Sequence, residues 1–107
     1  MKQAILCGKL LNTVKKRVDT DQVILVEDDR IQAVERREAI EIPEGYEIVD
    51  CSDRFVTPGL IDAHLHTAFD PMTYLKDYTG DGVIRGLINA KKDLLAGFTT
   101  LRDMGCT

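Results

Sequence analysis

The feature that most constrains the fold of this chain is a change in apolar spacing at Thr57-Pro58-Gly59. Pro-Gly punctuates a chain because proline offers no N–H and glycine takes backbone angles that other residues avoid. Ahead of it, apolar residues come in short runs: Ala4 to Cys7, Leu10 to Val14 beyond Gly8-Lys9, and Val23-Ile24-Leu25-Val26. The last run is rich in β-branched side chains, which pack well on a pleated surface. Glu27-Asp28-Asp29-Arg30 reads as a polar turn, and Ile31-Gln32-Ala33-Val34-Glu35 alternates at the period of a half-buried strand, so a hairpin is predicted. Pro43-Glu44-Gly45 marks a second turn, after which Tyr46, Ile48, Cys51 and Phe55-Val56 return as strand. Residues 1–57 are therefore expected to form a small all-β, sandwich-like segment with strand edges to protect.

Residues 58–107 follow another rhythm. In Leu60-Ile61-Asp62-Ala63-His64-Leu65-His66 the period of a strand puts Ile61, Ala63 and Leu65 on one side and Asp62, His64 and His66 on the other. Thr67 to Tyr78 reads as a loop, with Thr79 or Asp81 placed to cap a helix. Val83, Ile84, Leu87, Ile88, Leu94 and Leu95 then recur at helical spacing, with Arg85, Asn89, Lys92 and Asp93 on the polar side. Gly97 stands where a left-handed residue ends a helix, and Phe98 to Asp103 reads as a second strand. Strand, helix and strand make one βαβ unit, normally parallel with a right-handed crossover. The fold class expected is thus mixed α/β.

Size and charge narrow the function. The chain has 107 residues, which supports one modest core, so any large architecture would be incomplete. With 14 basic against 18 acidic residues the net charge is -4, which disfavours nucleic acid and anionic membranes as partners. No apolar run approaches the roughly 20 residues of a membrane span, and Ala4 to Cys7 is too short for a secretory core. Cys7, Cys51 and Cys106 are odd in number and widely spaced, so no disulfide framework is expected and a reducing, cytoplasmic setting fits.

The chain's two histidines, His64 and His66, sit two apart at the end of a predicted strand. That period places both imidazoles on one face, about 7 Å apart at their α-carbons, close enough to converge on one ion. Neutral imidazole suits zinc and several other divalent metals. Two polar residues at an exposed strand end are the competing reading.

Val56-Thr57-Pro58-Gly59-Leu60-Ile61-Asp62-Ala63-His64-Leu65-His66-Thr67 resembles the signature that opens the catalytic barrel of the amidohydrolase superfamily. Ala96-Gly97-Phe98-Thr99-Thr100-Leu101-Arg102-Asp103-Met104-Gly105 is similar to that family's second barrel strand, nearest the imidazolonepropionase-like and prolidase-like members. The resemblance implies a β-sandwich built from both chain ends beside a (β/α)8 barrel, of which residues 58–107 are the first βαβ unit. It implies that His64 and His66 bind a divalent metal, zinc foremost, in a site of one or two ions. The activity implied is hydrolysis of C–N bonds, in amides, peptides or cyclic amides, by a metal-activated water. Small-molecule or dipeptide-like substrates are implied with it. Family members draw further ligands from later strands: a lysine often carboxylated, two more histidines, and an aspartate that is also general base. None of those positions occurs here, so no catalytic residue is assigned. A catalytic zinc ordinarily has three protein ligands, and the chain alone is expected to be inactive.

Asp62 shares the histidine face and either orients a ligand ring or makes a buried hydrogen bond. Arg102 and Asp103 either pair with each other or neighbouring loops, or approach substrate. Phe69, Tyr74 and Tyr78 either line a pocket or pack the loop, and Cys106 as a third zinc ligand lacks a recognised spacing. The reading from a different class is a self-sufficient binding or structural module with an incidental HxH. The module reading expects a cooperatively unfolding monomer indifferent to chelators, whereas a lone βαβ unit leaves an apolar helix face and open strand edges, and hence self-association.

Overall fold

The computed structural model describes residues 1–73 and 75–105 and divides into two compact units, Met1–Pro58 and Gly59–Thr107. It is mostly β, with β1 (Lys2–Asn12), β2 (Arg17–Glu27), β3 (Arg30–Arg36), β4 (Glu47–Val56), β5 (Leu60–Leu65) and β6 (Phe98–Asp103), and one α-helix, α1 (Thr79–Leu95). The strands form one four-stranded sheet, ordered β3-β2-β1-β4, and one two-stranded sheet, β5-β6.

In the first unit β1 and β2 pair antiparallel from Lys2 opposite Glu27 to Asn12 opposite Arg17. The two apolar runs expected on either side of Gly8-Lys9 are therefore one strand. Gly8 does not end it, because it lies at a shift in the β1–β4 register where a Cβ would overlap the backbone oxygen of Ser52. Glycine is used there for close backbone approach. The expected β2–β3 hairpin is present, and Asp28 turns it with φ 53°, a left-handed angle that aspartate tolerates. β4 returns parallel to β1 and sets Cys51 opposite Cys7.

Alternation along β1 and β2 makes both faces of this sheet apolar. Ala4, Leu6, Val23 and Leu25 pack on one side against Ala33, Ile40, Ile42 and Tyr46. Cys7, Leu10 and Ile24 lie on the other with Ile5, Val26 and Val56.

In the second unit β5 and β6 are parallel, with Leu60 opposite Phe98 and Leu65 opposite Asp103. Gly97, at φ +100°, ends the helix as expected, its N–H donating to the Leu94 carbonyl at 3.0 Å. The N-cap is Tyr78, and Thr79 is already helical, which corrects the expectation that Thr79 or Asp81 would occupy that position. Asp81 caps instead from inside the first turn, accepting the Tyr78 N–H at 2.9 Å. The apolar residues of α1 stay open, with Leu87 70% and Leu95 78% exposed. Among the described residues no helix is long and apolar enough to cross a membrane.

Candidate functional site

β5 stops at Leu65, one residue short of the expected His66. The two imidazoles nonetheless lie on the same side, ring centres 5.5 Å apart and planes at 69°. Both histidines are exposed. The Nδ1 of His66 is 2.9 Å from the carbonyl oxygen of Gly105. A carbonyl can only accept, so Nδ1 is the donor in this contact, and in the neutral ring the lone pair then lies on Nε2. Phe69 makes a tilted ring contact with His66, centres 5.9 Å apart and planes at 58°.

Asp62 accepts the backbone N–H of His64 at 3.0 Å, so its hydrogen bond holds the main chain of that residue rather than its ring. Arg102 donates to the Ala63 carbonyl at 2.6 Å. Asp103 instead accepts both the hydroxyl and the N–H of Thr67, at 2.6 and 3.0 Å, and the N–H of Gly105 at 3.0 Å. These donors, the Thr67 hydroxyl foremost, hold its carboxyl down at about 2. The two neighbours thus bond across to β5 and the segment after it, not to each other.

The loop following His66 is fastened from the helix. Asn89 donates to the Thr67 carbonyl at 2.8 Å. Arg85 reaches the Ala68 carbonyl at 2.9 Å and Asp77 at 2.7 Å, and the guanidinium beside Asp77 lowers that carboxyl below its usual range. Both residues stood on the polar side of the helix in the sequence; the signal for a joint role was their spacing of four, one turn apart on one face. Tyr78 is 84% exposed and serves as the helix cap. Tyr74 and Cys106 lie outside the described residues.

The donor chemistry suits a divalent metal in part. Two imidazoles lie edge to face and Nδ1 of His66 is engaged by a carbonyl, yet among the described residues no three histidine, cysteine, aspartate or glutamate side chains gather. A catalytic centre needs at least one more ligand.

No family model matches the chain. It is 45% identical over 53 residues to imidazolonepropionase from Bacillus velezensis, covering 50% of this chain and 13% of that protein. It is 38% identical over 63 residues to adenine deaminase 4 from Rhizobium meliloti, covering 59% of this chain and 10% of that one. Among solved structures, a Xaa-Pro dipeptidase with methionine in its active site shares the fold at a TM-score of 0.83 and 24% identity, over 98% of this chain and 27% of its own. An amidohydrolase matches at a TM-score of 0.82 and 26% identity, over 98% of this chain and 26% of its own. The chain therefore spans only about an eighth of the first curated relative and about a quarter of these structures. In sequence and in fold these similarities are consistent with the N-terminal portion of an amidohydrolase-superfamily protein.

Proposed function

We propose that this chain is the N-terminal part of a cytoplasmic, metal-dependent hydrolase acting on C–N bonds of small amide, dipeptide-like or cyclic amide substrates. In this reading residues 1–57 belong to a β-sandwich, and residues 58–107 open a (β/α)8 barrel at whose strand ends the chemistry lies. The observation that carries it is the adjacent pair His64 and His66 on one side of the chain where β5 ends, with ring centres 5.5 Å apart. The relatives named as a deaminase, an imidazolonepropionase and a dipeptidase support the bond type and the substrate size.

His64 and His66 would hold a divalent ion, zinc in the first place, and Nε2 is the nitrogen that His66 has to offer. Such an ion, when bound, polarises a carbonyl and brings the pKa of water to about 7. The chain's own residues contribute positioning: Asp62 on the backbone of His64, Phe69 on the ring of His66, Arg85 and Asn89 on the loop between. Two protein ligands are too few for turnover, so the chain by itself binds metal without catalysing hydrolysis, and its open helix face favours self-association.

Titration with cobalt or zinc against a chromophoric chelator tests the reading. One weakly held ion per chain is expected, lost in His64→Ala and in His66→Ala, with no dipeptide hydrolysis in either case. Equal binding by wild type and the double variant would remove the ligand assignment. Hydrolysis by the purified chain that disappears in His64→Ala would overturn its inactivity.

A further inference from the structure

The Nδ1 of His66 makes a contact that is itself held in place from β6. Met104 closes the last β5–β6 pair, Leu65 opposite Asp103, its N–H donating to the Leu65 carbonyl at 2.9 Å. Immediately before it, Asp103 uses one carboxylate oxygen for both donors of Thr67 and the other for the N–H of Gly105. Gly105 then presents its carbonyl to His66 Nδ1 at 2.9 Å. Its φ of +145° is one that residues with a Cβ rarely adopt, while the space around it is open, so the demand for glycine is purely conformational. The residues on either side of the His66–Thr67 peptide are thus bonded to a single turn, His66 through Gly105 and Thr67 through Asp103.

We propose that Asp103 is a positioning residue for His66: by bridging Thr67 and Gly105 it aims the Gly105 carbonyl at Nδ1 and fixes the ring in the tautomer whose Nε2 is free. The use of that Nε2 as a metal ligand rests on the function proposed above; the tautomer itself does not. A carboxylate suits this place because it accepts three hydrogen bonds on two oxygens, which the single amide oxygen of asparagine cannot reproduce. Partners of this kind around a ligating histidine typically change metal affinity by about 10- to 100-fold.

The test is nitrogen-15 NMR of the imidazoles in the metal-free 107-residue chain, above about pH 8 where histidine is ordinarily neutral. His66 is expected as the Nδ1–H form in the wild type. In Asp103→Ala and in Gly105→Ala it is expected to shift to a mixture dominated by Nε2–H, the form that unconstrained histidine favours, while His64 keeps its signals. Asp103→Asn should fall between. Gly105→Ala leaves every side chain of the site in place, so it separates the aimed carbonyl from general loosening. A mixed tautomer in the wild type, an Nδ1–H form that survives both substitutions, or an equal change at His64 would each overturn the proposal. Cobalt titration supplies the second arm: about 10- to 100-fold weaker binding in Asp103→Ala supports it further. A wild-type chain that keeps the tautomer but binds no cobalt would count against the metal reading alone.

Discussion

Thr67 gives both its backbone N–H and its hydroxyl to one oxygen of Asp103, at 3.0 and 2.6 Å, across 36 residues of sequence. The pair ties the residue after His66 to the last residue of β6. Its first consequence is acid sensitivity. The Asp103 carboxyl sits at about 2 in the folded chain, below the roughly 3.9 of a free aspartate, so the unfolded chain takes up a proton first as pH falls. Asp103 therefore stabilises the fold fully above about pH 4, and that contribution is lost on descending towards about pH 2. Urea midpoints measured from pH 5 to 2 should fall more steeply for the wild type than for Asp103→Asn, which should also be less stable at neutral pH. Parallel acid limbs in the two proteins would contradict the account.

The local parts of this arrangement are legible in the sequence. Period two puts His64 and His66 on one side, helical spacing marks α1, and Gly97 marks its end, because each depends on residues within one turn or one strand. What is not legible joins distant residues. The parallel docking of β4 on β1, the bond from His66 to Gly105 and the grip of Asp103 on Thr67 all depend on which strands become neighbours. Gly8 is a sharper case: the same residue type that breaks a strand when read alone is required inside β1 because Ser52 comes too close for a side chain.

Glycines in this chain divide by what surrounds them. A Cβ at Gly8 would overlap the Ser52 backbone, and one at Gly59 would overlap the Thr99 side chain. Gly8→Ala and Gly59→Ala are each expected to lose about 1–3 kcal/mol through forced displacement of packed neighbours. Gly80 lies within α1 with open space around it, so Gly80→Ala should instead gain about 0.5–1 kcal/mol. Chemical denaturation of the three variants checks the contrast, and a destabilised Gly80→Ala would refute it.

Cys7 and Cys51 stand opposite each other across β1 and β4 but differ in burial. Cys7 is buried, and that burial, with Cys51 beside it, pushes its thiol above the ordinary range. Thiolate is the reacting species, so Cys7 is doubly protected, while Cys51 is only half-buried. Brief treatment with iodoacetamide at pH 8 followed by peptide mass mapping should show Cys51 alkylated well before Cys7. Comparable rates at the two positions would mean that β4 opens from β1 on the timescale of labelling.

The exposed side of α1 makes the last prediction. Val83, Ile84, Leu87, Ile88, Leu94 and Leu95 are each at least half exposed, at 59, 61, 70, 51, 61 and 78%. A helix whose whole apolar stripe faces water is the pattern of a surface that another surface covers. In the isolated chain the available cover at high concentration is a second copy, since like surfaces pair about a two-fold axis. Light scattering coupled to size exclusion should therefore give a mass above 12.0 kDa that rises with loading concentration. Charging the stripe, as in Leu87→Glu with Leu95→Glu, should return it to monomer while the far-ultraviolet circular dichroism is retained. A wild-type chain that stays monomeric as concentration is raised would argue against the helix face being half of a contact, and with it against residues 58–107 being the opening of a larger barrel.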